Sequence, residues 1–402
     1  MIDRPRHLQN TVQHYDWGSR TAIPEMLGDQ PDGRPYAELW LGAHPSGSSR
    51  LVGEDLTPLQ TAILSAPERT LGARVIDEFG PRLPYLMKVL SAESALSIQV
   101  HPRPHDARAG YNSENVLGLP PGDTRRSFHD DQHKPEMIVA LSQFDGLAGF
   151  RQPRAILRLL AGLPGRLVAT MRSSLEEDST AEGMRRAFSC LLDARGSLDV
   201  GADIETTLEG IRGRVATSPS TRADATVAML AKQHPGDPGA LASLMLNRFT
   251  LEPGEALFIP SGEIHAYLSG TGVEIMASSD NVLRAGLTTK LVDTGALLAC
   301  ASFTARPPVA PTCTASGEHH EVRHYRAPVA EFALVVAESS VDDDIALPSE
   351  GPRIVLCLDG AVALSTGGED FTLEQGQSVF VPHVSGRTTV RGDGQIVCAY
   401  VP

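Results

Sequence analysis

Four side chains in this sequence are placed to hold a divalent metal: Gln99, His101, Glu136 and His265. They fall on three stretches that each read as a strand with the named residue on a polar face. In LSIQVHP (96–102), Leu96, Ile98 and Val100 alternate with Ser97, Gln99 and His101, the two-residue period of a strand with one apolar and one polar side. In HKPEMIVAL (133–141), Pro135 forces Lys134 toward an extended backbone, so that Lys134, Glu136 and Ile138 share a face. His265 opens a strand just past the corner GEALFIPSG (254–262). Two imidazoles, a carboxylate and an amide oxygen suit a borderline divalent metal. Two histidines and a glutamate also match the facial set of non-haem iron oxygenases, so ligand type alone leaves the metal open. Taken alone, the 96–102 strand is slightly better explained as one half exposed to water on its polar side.

The segment beginning at His265 carries further polar groups. Ser269-Gly270-Thr271-Gly272 is a turn signal, and His265 to Ile275 therefore reads as a β-hairpin with Tyr267 opposite Glu274 and His265 opposite Met276. That pairing puts His265, Tyr267 and Glu274 on one face. Beside or within the candidate strands stand Lys88, Lys134, Arg284 and Lys290, in a chain of formal net charge −14. A basic cluster in so acidic a chain points to an anionic substrate, most simply a phosphate ester. An oxygenase acting on a neutral aromatic has no need of one. Any single lysine of the set is as well explained by an ion pair with Glu136, Glu274 or Asp280. The acidic balance argues against a nucleic-acid partner.

The elements that must position these groups divide the chain. At 402 residues it is too long for one ordinary core. Strand patterns fill residues 1–150 and 247–304. Between them, residues 151–246 change to helical spacing, with Ile156, Leu157, Leu159, Leu160 and Leu163, then Met184, Ala187, Phe188, Leu191 and Leu192. Ser179 with Glu182 reads as a capping box, and Asp237-Pro238 as the start of a helix running through Met245. A further helix is expected from Thr294 to Ala301. The Pro-rich ARPPVAPT (305–312) marks a boundary, and residues 305–402 are β-rich. There the spacing Gly376, five residues, Pro382 repeats Gly254, five residues, Pro260, but Arg387 stands where His265 should recur. This is a second copy of the same module with the ligand position lost, and His383 lies at the wrong offset to replace it. Both tryptophans, Trp17 and Trp40, sit near the N-terminus, either as loop anchors or as part of a pocket wall. The five cysteines are scattered, with no C-x-x-C, no run of 18 apolar residues occurs, and MIDRPRHLQN has no apolar leader. A cytoplasmic protein without a membrane partner is expected.

The motifs YDWGS (15–19), YAELWLGAHPSG (36–47), LPYLMKVLSAESALSIQVHP (83–102), HKPEMIVAL and PSGEIHAYLSGTGVEIMASSDNVLRAGLTTKLVD (260–293) together resemble type I phosphomannose isomerases. The resemblance spans roughly residues 7 to 293, apart from the helical insert. It implies a mainly β fold of two cupin-type (jelly-roll) barrels plus a helical domain, in a chain expected to act as a monomer. It implies one zinc ion per chain, with Gln99, His101, Glu136 and His265 as ligands. The family's other active-site positions fall on Trp17, Ser97, Lys134, Tyr267, Glu274, Asp280 and Arg284, each of the expected residue type. The implied reaction interconverts mannose 6-phosphate and fructose 6-phosphate through an enediol. Arg284 and Lys134 would add positive charge at the reacting end, and Glu274 or a water on the metal would take the proton. Lys88 and Lys290, with Trp17 and Ser97, are expected to contact the substrate.

Overall fold

Strand pairing in the computed structural model, which describes residues 3–402 except 54, 317–320, 343 and 367–368, divides the β-structure between two sheets of ten and eleven strands. Met1 and Ile2, the head of the stretch read as lacking an apolar leader, lie outside the described residues. The ten-stranded sheet carries Gln99, Glu136 and His265, and His101 directly follows its strand Ile98–Val100. Its long member, His265–Ala277, pairs with Tyr85–Ala92 and Glu136–Ala140 along its second half and with Phe144–Phe150 along its first. The eleven-stranded sheet is built from the C-terminal strands, joined by Arg6–Gln9, which pairs with Ser378–Val381. The expected mainly β architecture with helices is what forms. Among the described residues the strand pairings close neither sheet into a ring.

Alternation decides what each face meets. In Tyr85–Ala92, Met87 and Val89 pack with Met137, Val139, Val273 and Ile275 against Ile354, Leu356, Phe380 and Val397 of the second sheet. Their neighbours Lys88, Glu136 and Glu274 therefore point the other way, into the interior of the first sheet. Six helices lie between Pro153 and Ala242. Their apolar faces pack on the backs of the site-bearing strands, through Ile98, Val100, Leu147, Ala266, Leu268, Leu283 and Ala285. Gln99, His265 and Arg284 alternate with those residues, so their strands have helices behind them and the site in front.

Three local expectations are corrected. Residues 265–277 form one continuous strand, not a hairpin about Ser269–Gly272. Gly270 bends it at φ 115°, where a Cβ would come within 2.5 Å of Gln143 O, so the glycine serves a close approach rather than a chain reversal. The register also shifts between Tyr267 and Ser269. One extra residue reverses side-chain parity, which brings odd-numbered His265 and Tyr267 onto the same side as even-numbered Glu274. The helix Ala181–Asp193 is capped by Thr180, whose hydroxyl accepts from Glu182 N, not by Ser179. After Asp237-Pro238 the helix is short, Gly239–Ala242, because Leu246 already starts a strand.

Candidate active site

His101, Glu136 and His265 converge in the buried interior, with their donor atoms within 4.8 Å of one another. Glu136 Oε1 lies 3.0 Å from His265 Nε2, and Oε2 lies 3.1 Å from His101 Nε2. Each ring is oriented from behind. His101 Nδ1 donates to Asn281 O (2.7 Å) and His265 Nδ1 to Glu263 O (2.9 Å). In the neutral tautomer that this fixes, both Nε2 atoms present lone pairs to a carboxylate. A proton on His265 relieves one contact, and Glu136 favours it: burial pulls the His265 pKa down, but the adjacent carboxylate raises it above the ordinary value. Glu136 favours a proton on His101 too, but there it is outweighed. Burial and then Lys134 push its pKa down to about 4, and its Nε2 has no hydrogen-bond partner. A buried carboxylate held against two imidazole lone pairs is unfavourable as it stands, and a cation among them satisfies all three. The donor set therefore fits a divalent metal. Gln99 adjoins the three, its side-chain amide 3.3 Å from His265 Nε2. A half-turn of that amide exchanges its nitrogen and oxygen.

A second polar layer adjoins the cluster. Tyr267 donates to Glu136 Oε1 (3.3 Å). Lys88, in register between Trp40 and Glu274, bridges Glu38 Oε1 (3.2 Å) and Glu274 Oε2 (3.1 Å). Burial opposes its charge, but Glu38, Glu274 and Glu136 outweigh that and hold the ammonium protonated. Lys88 is thus engaged within the layer. Burial raises the Glu274 pKa, Lys88 offsets part of the rise, and Glu136 and Glu38 add to it. Lys134 is buried and has no ion pair among the described residues; burial and the like charge of Lys88 lower its pKa.

The remaining predicted residues lie toward the surface. Arg284 is half-buried and pairs in register with Gln99. Lys290 is exposed, its Nζ 5.5 Å from the centre of the Tyr15 ring, and Tyr15 stacks on Trp17 at 5.7 Å. Burial lowers the pKa of both cations, with Arg284 lowering that of Lys290 further. Ser97 is half-buried just ahead of the Gln99 strand. Asp280 accepts from Ser46 Oγ (2.7 Å) and lies 3.5 Å from His44 Nε2. His383 is far from this cluster in its contacts: its Nδ1 accepts from Gly351 N.

Sequence reasoning missed Glu38, His44 and Asn281. Glu38 heads an apolar strand, the same signal that singled out Glu136. Asn281 is fully buried, and its side chain bonds the backbone of residues 129–132 while its carbonyl holds His101. No spacing rule announces a main-chain carbonyl as a tautomer-fixing group.

Comparison with known proteins adds independent findings. The family described as phosphomannose isomerase type I, catalytic domain, matches residues 6–153, and that described as mannose-6-phosphate isomerase, cupin domain, matches residues 330–401. The mannose-6-phosphate isomerase of Escherichia coli (strain K12) is 35% identical over 398 residues, covering 98% of each chain. Among solved structures, a mutant of phosphomannose isomerase from Salmonella typhimurium superposes with a TM-score of 0.88 at 31% identity, covering 99% of both chains. A zinc-bound mannose 6-phosphate isomerase does so with a TM-score of 0.87 at 31% identity, again over 99% of both chains.

Proposed function

Because the chain belongs to the type I phosphomannose isomerase family, we propose that it interconverts D-mannose 6-phosphate and D-fructose 6-phosphate on one zinc ion. The observation that carries this reading is the buried convergence of His101, Glu136 and His265, with His101 Nε2 left without a hydrogen-bond partner. These three, with Gln99, would hold the metal. When bound, zinc supplies a fixed positive charge that polarises the oxygens at the reacting end of the sugar.

The isomerisation removes a proton from C2 of the open-chain aldose and delivers one to C1, while the hydroxyl proton at O2 leaves and O1 gains one. Glu274 is the group we assign to the carbon-bound proton. Burial raises its pKa, which makes its carboxylate a stronger base than one in water. Lys88 fixes that carboxylate in place and limits the rise, a positioning task rather than contact with substrate. Lys134 and Arg284 add positive charge as the oxygens become anionic. Tyr267 orients Glu136 through its hydroxyl. Asp280, Trp17 and Ser97 would line the sugar, and Lys290 would meet the phosphate.

We read the two sheets as two cupin-type jelly-roll barrels, with residues 1–150 and 247–304 catalytic, 151–246 a helical domain and 305–402 a degenerate cupin. Support comes from the repeated Gly-x5-Pro frame in the two sheets. We also take the protein to act as a cytoplasmic monomer without nucleic-acid partners. The net charge of −14 agrees with this, and among the described residues no helix is long and apolar enough to cross a membrane. The deciding experiment is a coupled assay for fructose 6-phosphate formation from mannose 6-phosphate. Turnover should vanish with a chelator and return with zinc. A zinc-loaded protein without turnover would overturn the assignment.

A further inference from the structure

Between Arg284 and Lys290 the backbone takes a conformation that a leucine seldom adopts. Leu287 is buried and has φ 56°, the only positive φ at a non-glycine position among the described residues. An L side chain is held there only where its surroundings impose it, and the helical insert supplies those surroundings. Arg195, just past the helix Ala181–Asp193, donates from Nη2 to Thr288 O (2.9 Å) and from Nη1 to Asp237 Oδ2 (2.7 Å). Thr288 N donates to the same Asp237 Oδ2 (3.3 Å). Asp237 Oδ1 in turn accepts from Gly239 N (2.8 Å). Gly239 then packs backbone on backbone: a Cβ there would lie 3.0 Å from Leu287 N and 3.2 Å from Gly286 Cα. Thus both sides of Leu287 are gripped, and every gripping group comes from the insert.

The gripped segment joins two cations. Arg284 lies on the strand paired to Gln99, so the sheet already positions it. Lys290 comes after the strand ends, on an exposed stretch, and reaches back over the Tyr15–Trp17 stack. Its path is set by the turn at Gly286–Thr288.

We propose that the helical insert is a positioning module for the anionic end of the substrate, in which Arg195 and Asp237 hold Leu287–Thr288 and thereby aim Lys290 at the phosphate. This rests on the reading of Lys290 as the phosphate-facing cation. Neither Arg195 nor Asp237 touches substrate, and their loss acts through the loop they hold.

The test uses the full zinc-loaded chain with Arg195→Ala, Asp237→Asn, both together, Arg195→Lys, and Lys290→Ala as the reference. Four quantities are read: kcat, KM for mannose 6-phosphate, the inhibition constant of inorganic phosphate, and zinc content. In Arg195→Ala and Asp237→Asn, KM and the phosphate constant should rise together by about tenfold, with kcat and zinc content nearly unchanged. The double variant should be no worse than either single one, because the pair acts as a unit. Arg195→Lys should recover part of the loss. Should Arg195→Ala fail to fold, the near-isosteric Asp237→Asn still gives the answer. If Lys290→Ala raises both constants and the insert variants do not, the proposal is overturned while the phosphate reading stands. If Lys290→Ala leaves both unchanged, the phosphate reading itself fails. Insert variants that lower kcat alone, or lose zinc, also overturn the proposal, since that outcome would mark a general structural role.

Discussion

The strands His265–Ala277 and Thr388–Tyr400 each run for 13 residues beyond a Gly-x5-Pro corner, and each bends at a glycine ten residues past the proline. Gly270 and Gly392 have φ of 115° and 133°, and a Cβ at either would collide with a neighbouring backbone carbonyl, at 2.5 and 2.6 Å. The two frames are thus built alike, but their contents differ. Counted from the proline, Tyr267 corresponds to Thr389 and Glu274 to Ile396, which packs in an apolar cluster. Glu136 pairs with Ile259 in the first sheet, and Arg353 pairs with Val381 in the second. Glu136 faces two imidazoles. Arg353, equally buried, donates to the carbonyls of Pro348, Pro382 and Gly386. One interior turns a carboxylate toward two imidazoles, one of them without a hydrogen-bond partner; the other turns a guanidinium toward three carbonyls, with only its Nε unpaired. A shared backbone plan therefore does not carry chemistry, and the acceptor balance of the interior does.

Breaking that balance should have the largest effect. His265→Ala removes one acceptor and a ligand, and metal content and turnover should fall together, turnover by roughly 1,000-fold or more. Metal analysis beside the coupled assay checks this; full activity without metal would erase the distinction between the two interiors. Arg284→Ala should come next. Turnover should drop about 100-fold with zinc retained, because the charge it supplies acts on the substrate and not on the ligands. Nearly intact activity would remove Arg284 from the reacting end. The glycine pair probes the shared frame. Gly270→Ala and Gly392→Ala should each destabilise by about 1–3 kcal/mol through strain at positive φ, yet only the first should slow the folded enzyme, since only there does the bend aim a glutamate. Equal slowing in both, measured beside melting curves, would mean the frame acts as one unit. His383→Ala should matter least. It forfeits one hydrogen bond from Gly351 N, worth about 1 kcal/mol, and should leave zinc content and turnover unchanged.

Much of the first interior was legible residue by residue. Strand parity in LSIQVHP and HKPEMIVAL separated Gln99, His101 and Glu136 from the apolar positions, since a two-residue period survives whatever the strand pairs with. The face shared by His265, Tyr267 and Glu274 was also legible, though the hairpin invoked for it does not exist. A bulge and a glycine bend produce the same result, and both depend on what the strand crosses at Phe144 and Gln143. Lys88 was visible as a buried cation, but its engagement with Glu38 and Glu274 required knowing which strands flank it. Spacing also could not reveal that the helices back the Gln99 and His265 strands, because that contact joins residues far apart in the chain.

Local pattern thus determined which side chains are polar in an apolar setting, where strands give way to helices, and that the motif after Gly254 is repeated without its histidine after Gly376. These follow from periodicity and turn chemistry, which act over a few residues. Only the tertiary structure decided that His101 and His265 are turned by the carbonyls of Asn281 and Glu263, that Arg353 meets three carbonyls in the second interior, and that Arg195 and Asp237 grip Thr288. Each of these is a hydrogen bond made where two distant segments meet, and its energy exists only once the chain has closed around it.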